Sequence, residues 1–142
     1  MSEEKTQDRT TQAPMTKAEQ LKGLYHDCGL SKEDVHKHAH YLIITRTGIE
    51  KIQFAKNIEV KFDIVRCEVD FCAVKATGTM KVGEVTEVIE TFGSAYAATC
   101  QNKYYLEMAE KRALSRIVLK MTKAYSLGVF GEDEADDFKN KQ

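Results

Sequence analysis

From Lys103 to Ser126 the chain runs for 24 residues without a glycine or a proline. Nothing in that stretch breaks a helix, so it commits the fold to one long helix. Leu106, Ala113, Ile117, Met121 and Ala124 recur at helical spacing, and Leu114 and Val118 widen the apolar side. The spacing predicts a helix over about 103–126 with Gly128 as its C-terminal stop. At 100° per residue, counted from Lys111, the apolar side covers about 200–340° of arc. Arg112, Arg116, Lys120 and Lys123 fall between about 100° and 180°, one narrow stripe with Lys111 to its side. Met108 and Leu119 lie beyond the stripe at about 60–80°. Apolar flanks on both sides predict a groove rather than a freely solvated face. Glu110 falls on the apolar side, where an unpaired carboxylate is costly, so it is expected to meet a cation from elsewhere.

The cations have an unusual neighbourhood. Asp and Glu are absent from 111 to 131, so no acid one turn away relieves their repulsion after Glu107 and Glu110. The row is about 16 Å long, enough to follow a few phosphates along a strand backbone. The alternative is a solvated helix face balanced by acids elsewhere in the fold.

Upstream, Ile58, Val60, Phe62 and Ile64 alternate with Glu59, Lys61 and Asp63, the period of a strand with one wet face. A second strand is expected over about Phe71–Met80 and a third over about Glu84–Phe92, with Lys81-Val-Gly83 as the turn. Connections this short predict an antiparallel meander. Before it, Thr16-Lys-Ala-Glu19 reads as a capping box opening a helix to about 27, stopped near Gly29. Ser31 is expected to cap a second helix, with Leu30 and Val35 as its staple, and Thr47 a third over about 48–56. Tyr41–Ile44 reads as an extended or helix-end segment. The order is α-α-α-β-β-β-α, an α+β chain of short N-terminal helices, a meander and a long helix, with no internal repeat.

The 142 residues suit one domain, 16–131, between a disordered polar arm, 1–15, and a flexible acidic tail, 132–142. The arm sums to −1, the body to +3 and the tail, with Glu132, Asp133, Glu134, Asp136 and Asp137, to −3. A mildly basic body fits a nucleic-acid binder. No apolar run is long enough to span a bilayer and no charged-then-apolar leader opens the chain, so no membrane role is expected. Cys28, Cys67, Cys72 and Cys100 form no CxxC, which reads as reduced thiols in a cytosol.

The segment Glu110-Lys-Arg-Ala-Leu114 resembles the helix motif of single-strand DNA annealing proteins of the Rad fifty-two type. That superfamily includes phage annealing proteins and, more distantly, the essential recombination function group. Ile89-Glu-Thr-Phe-Gly93 resembles its third-strand ending, where an acid precedes a glycine turn. The likeness covers residues from about 48 to 128. It implies a β-β-β-α core with the long helix packed across the meander, and Lys111 and Arg112 on the DNA backbone in an inner groove. Arg116, Lys120 and Lys123 extend the row by geometry, and Lys61, Arg66 and Lys75 of the meander could form the opposite wall. It further implies ATP-independent annealing of single-stranded DNA in recombination or repair. A homo-oligomeric ring or filament is implied too, in the cytoplasm of a bacterial or phage-infected cell or at its nucleoid.

Other signals point elsewhere. Tyr96, Tyr104 and Tyr105 precede the basic helix and could stack on bases, though core tyrosines are commoner. His36 and His40 would share a helix face and could hold a metal, with His26, Cys28 and His38 nearby. No second ligand pair has zinc spacing, so surface histidines are expected and no metal. The acidic run could hold Mg²⁺ as in a nuclease, the main alternative, or cover the basic stripe as an autoinhibitory tail. No phosphate loop or nucleophile elbow occurs, so no cofactor is expected and no catalytic residue is assigned. A third reading is a protein-interaction module.

Overall fold

The computed structural model describes residues 15–38, 40–99 and 103–133. The arm expected over 1–15 lies outside them except for Met15, and so does the tail from 134 onward. Among the described residues the chain is α+β. It runs α1 (Lys17–Cys28), β1 (Val35–His38), β2 (Tyr41–Ile44), α2 (Arg46–Ala55), β3 (Glu59–Cys67), β4 (Phe71–Val82), β5 (Val85–Tyr96), α3 (Tyr105–Met121), a 3₁₀ turn (Ala124–Leu127) and β6 (Val129–Gly131). The strands form two sheets, in the orders β1-β2-β6 and β3-β4-β5.

The first helix opens on its capping box. Thr16 Oγ1 accepts from the Glu19 amide at 3.2 Å, and the Glu19 carboxylate accepts from Thr16 N at 3.4 Å. Gly29 closes it at a φ of 65°. The helix expected from Ser31 does not form. Asp34 accepts from Ser31 N at 2.9 Å, Ser31 Oγ at 3.1 Å and Lys51 Nζ at 2.7 Å, which fixes a turn, and the chain leaves it extended. The Lys51 ammonium and then the Ser31 amide hold the Asp34 carboxyl below the usual carboxylate range. β1 then pairs antiparallel with β2, and β6 adds to β2 in parallel, Leu42 opposite Val129. That last pairing spans more than eighty residues of chain, a range that local patterns do not report.

Thr45, not Thr47, caps α2, accepting from Gly48 N at 3.2 Å. Gly48 sits so close to Ile44 and Asp34 that a side chain there would collide. The second sheet is a three-stranded antiparallel meander, β3 against β4 and β4 against β5, with a register shift between Ile64 and Arg66. β5 runs on to Tyr96, so Gly93 lies inside the strand and makes no turn. Its lack of a side chain serves contact instead: a Cβ there would strike Ala109 O and Ala113 N of α3. The helix backbone thus rests directly on the strand, with Ala109 and Ala113 themselves fully buried.

α3 lies across the meander face that carries Cys72, Val74, Ala76 and Met80. Ile117 is wholly buried there against Gly78, and Val118 is wholly buried in the core, each contributing about 1.5–3 kcal/mol. The helix is shorter than its glycine-free sequence predicts. Thr122 Oγ1 bonds back to Val118 O at 2.9 Å, and Lys123 turns left-handed at a φ of 60°. The chain then reverses through the 3₁₀ turn and Gly128 into β6.

Candidate nucleic-acid interface

The cations of α3 divide by position. Arg112 and Arg116 reach sideways to β5, which is an edge strand. Arg112 Nη1 donates to Ser94 O at 2.8 Å and to Thr99 Oγ1 at 3.2 Å, and its Nη2 donates to Thr99 O. Arg116 Nη1 donates to Phe92 O at 3.1 Å. A guanidinium carries five N–H groups in a rigid plane, so the bonds of Arg112 orient its fork without exhausting it. Lys111 and Lys120 are exposed. Lys120 occupies the last helical turn, where a cation complements the partial negative charge of the helix end. Lys123 lies past that end and does not continue the row. It borders a cleft of about 480 Å³ with Lys56 and Lys81, over Leu24, Met80 and Met121.

The flanks of the stripe are indeed covered, but by the chain itself. Leu119 is fully buried, and Met108 packs against the core. The expected groove between two apolar flanks is therefore a seam already filled. Glu110 is exposed, not on the buried side, because the sheet meets the helix nearer Ala109 and Ala113.

The meander cations also stand elsewhere than expected. Lys61 is opposite Thr77, Lys75 opposite Asp63 and Phe92, and Arg66 opposite Ala73. All three alternate with the residues under α3, so they share the open outer face of the sheet. They cannot form a wall facing the helix. Lys75 Nζ is 3.9 Å from Glu90 Oε1, and Arg66 Nη2 is 2.8 Å from Glu68 Oε1.

The same outer face carries aromatic rings. Tyr96 is 41% exposed and Phe92 51%. Phe71 stands opposite Tyr96, ring centroids 6.1 Å apart. Phe71 and Phe92 were not among the residues expected from sequence; the even-numbered alternation Val88, Glu90, Phe92, Ser94, Tyr96 is the signal that places Phe92 with Tyr96, and only the β4–β5 register adds Phe71. Phe92 joins the two surfaces, with its ring on the sheet face and its carbonyl on Arg116. Tyr104 is exposed, whereas Tyr105 is half-buried and packs against the core.

The acidic run does not begin as a loose tail. Glu132 Oε1 accepts from Arg46 N at 2.8 Å, an added cap on the first turn of α2. Asp133 Oδ2 accepts from Ser115 Oγ of α3 at 3.1 Å. Burial raises the Asp133 carboxyl above its ordinary range and Glu132 adds to this, against the Ser115 hydrogen bond and the charges of Arg46 and Lys111. Glu132 and Asp133, expected within a flexible tail over 132–142, are thus held by hydrogen bonds, and the rest of that segment lies outside the described residues.

His36 and His38 lie on a strand, so the helical spacing that would have joined His36 to His40 is absent. Among the described residues no three His, Cys, Asp or Glu side chains gather as metal ligands. Cys28 is buried, and burial raises its thiol pKa. No described helix is long and apolar enough to cross a membrane. Compared with protein-family models, with curated proteins and with solved structures, the chain matches none.

Proposed function

We propose that the chain binds single-stranded DNA along β5 and promotes the annealing of complementary strands without nucleotide hydrolysis. The observation that carries this reading is the arrangement around Phe92. An aromatic column of Phe92 and Tyr96, with Phe71 beside it, shares the open sheet face with Lys61, Arg66 and Lys75. Arg112 and Arg116 border that column along the strand edge. Cations that follow a backbone beside rings that offer stacking faces are what a sequence-tolerant single-strand site requires.

In this reading phosphates run beside Arg112, Arg116 and Lys111, and bases stack against Phe92 and Tyr96. The β-β-β-α core of the annealing-protein type and the homo-oligomeric ring or filament belong to the same proposal. Duplex stacking drives the reaction, so strands need only be held extended and exchangeable.

Titrating labelled oligonucleotides against salt tests it. Arg112→Ala and Arg116→Ala should each lower the salt slope by about one unit. Phe92→Ala should weaken single-strand binding by about tenfold, as loss of one stacked base does, and leave the slope in place. Unchanged affinity in all three folded variants overturns the interface. Cleavage of the strands on adding Mg²⁺ would favour a nuclease.

A further inference from the structure

We propose that Cys67 and Cys72 are a site of reversible oxidation, closing an intramolecular disulfide across the β3–β4 hairpin at the expense of a low-molecular-weight disulfide. The inference is independent of DNA binding. It rests on register, separation and access.

The two residues are direct partners in the ladder between β3 and β4. Glu68 N donates to Phe71 O at 2.7 Å just inside them, so Glu68 and Phe71 are the hydrogen-bonded pair. Pairs alternate along an antiparallel ladder, which makes Cys67 and Cys72 a non-hydrogen-bonded pair. Such pairs hold their Cα atoms about 4.5 Å apart, within the range a disulfide spans. Both thiols are free, and their sulfurs stand 2.8 Å apart. The hairpin has already done the alignment that forming the bond requires.

Access is one-sided. Cys67 is exposed at the sheet end, whereas Cys72 is 2% exposed, under the first turn of α3 near Glu107. Burial and the adjoining Cys67 push the Cys72 thiol up to about 11, so it stays protonated at neutral pH. The order of events follows. The Cys67 thiolate attacks one sulfur of the oxidant, here glutathione disulfide. A Cys67–glutathione mixed disulfide forms, and the first glutathione leaves as thiolate. Cys72 then gives its proton to solvent and attacks the Cys67 sulfur, releasing the second glutathione. Two protein thiols are oxidised to one disulfide, and one glutathione disulfide is reduced to two thiols. The mixed disulfide is short-lived because the second nucleophile already touches the sulfur it attacks.

The experiment uses the full chain in glutathione buffers of graded oxidised-to-reduced ratio. Thiols are alkylated after denaturation, and bridged peptides are mapped by mass. The expected result is the joint loss of two of the four thiols, with a Cys67–Cys72 peptide, at a ratio independent of protein concentration. Cys67→Ser, a surface change that leaves the core intact, should abolish the bridged peptide and leave Cys72 alkylatable. Wild-type mapping alone also decides the matter. A glutathione adduct that persists on Cys67, or four alkylatable thiols in the most oxidising buffer, would overturn the proposal. So would a bridge using a different pair.

Discussion

Asp133 carries a charge where the fold does not favour one. Burial raises its carboxyl pKa in the folded chain above the unfolded value. The folded state therefore binds that proton more tightly, and the ionised form costs stability once pH exceeds the raised value. Asp133→Asn keeps an oxygen to accept from Ser115 Oγ and removes the charge. We expect the variant to melt higher than wild type at neutral pH, with the gain shrinking as pH falls into the ordinary carboxylate range. Thermal melts at the two pH values check this, and an equal or lower melting point at neutral pH would contradict it. Arg112 is a second residue with two duties. Arg112→Lys keeps the charge but loses the fork that joins Ser94 O to Thr99. It should retain the salt slope of DNA binding and lose about 1 kcal/mol of stability in urea. At this scale the sequence was informative about charge: 100° per residue set Arg112 and Arg116 on one stripe. It was silent on their acceptors, which lie 18 and 24 residues away on β5.

Between elements, the tightest joint is the rest of α3 on Gly93. Gly93→Ala would drive a methyl group into helix backbone, which cannot swing aside as a side chain can. The variant should lose about 3 kcal/mol or more, read from its denaturant midpoint. Near-wild-type stability would mean the helix can lift off the strand. The acidic run makes a second joint. Removing 132–142 deletes the Glu132 cap on α2 and the Asp133 contact to α3, at a cost of about 1–2 kcal/mol. Truncation after Asp133 retains both contacts and should leave stability unchanged. Both truncations should raise DNA affinity by removing acid charge from a chain whose body is basic, and reduced affinity would make the run part of the site. Elements with a repeating pattern were legible: the alternation of Ile58–Ile64, the meander and the body of α3. The sheet β1-β2-β6 was not, because its outer pairing joins Leu42 to Val129 and each piece is only three or four residues long. The end of α3 was hidden for another reason, since Thr122 and Lys123 terminate it by backbone geometry rather than by glycine or proline.

Taken whole, one copy presents few phosphate contacts. Arg112 and Arg116 lie one helical turn apart, and Lys123 has left the row. Sequence-independent binding at physiological salt needs more neutralised phosphates than that, so several copies should share a strand. Sedimentation with saturating oligonucleotide should show species well above the 16.1 kDa chain, and one chain per strand would contradict shared binding. The candidate site was half legible. Its residue types were readable from charge and tyrosine spacing, but the face each occupies depended on register, and the register sent Lys61, Arg66 and Lys75 to the side away from α3. The arginine bonds to Phe92 O and Ser94 O also bear on colloidal behaviour. An open sheet edge is a template for runaway fibre growth, because its bare carbonyls accept any passing strand. Two of those carbonyls are already occupied on β5, and the irregularity after Ile64 interrupts β3 on the opposite border. A continuous sheet running from molecule to molecule is thereby disfavoured at both borders. Under the proposed shared binding, copies on one strand would meet through side chains rather than along the borders of the meander, and contacts of that kind dissolve again when the strand is released.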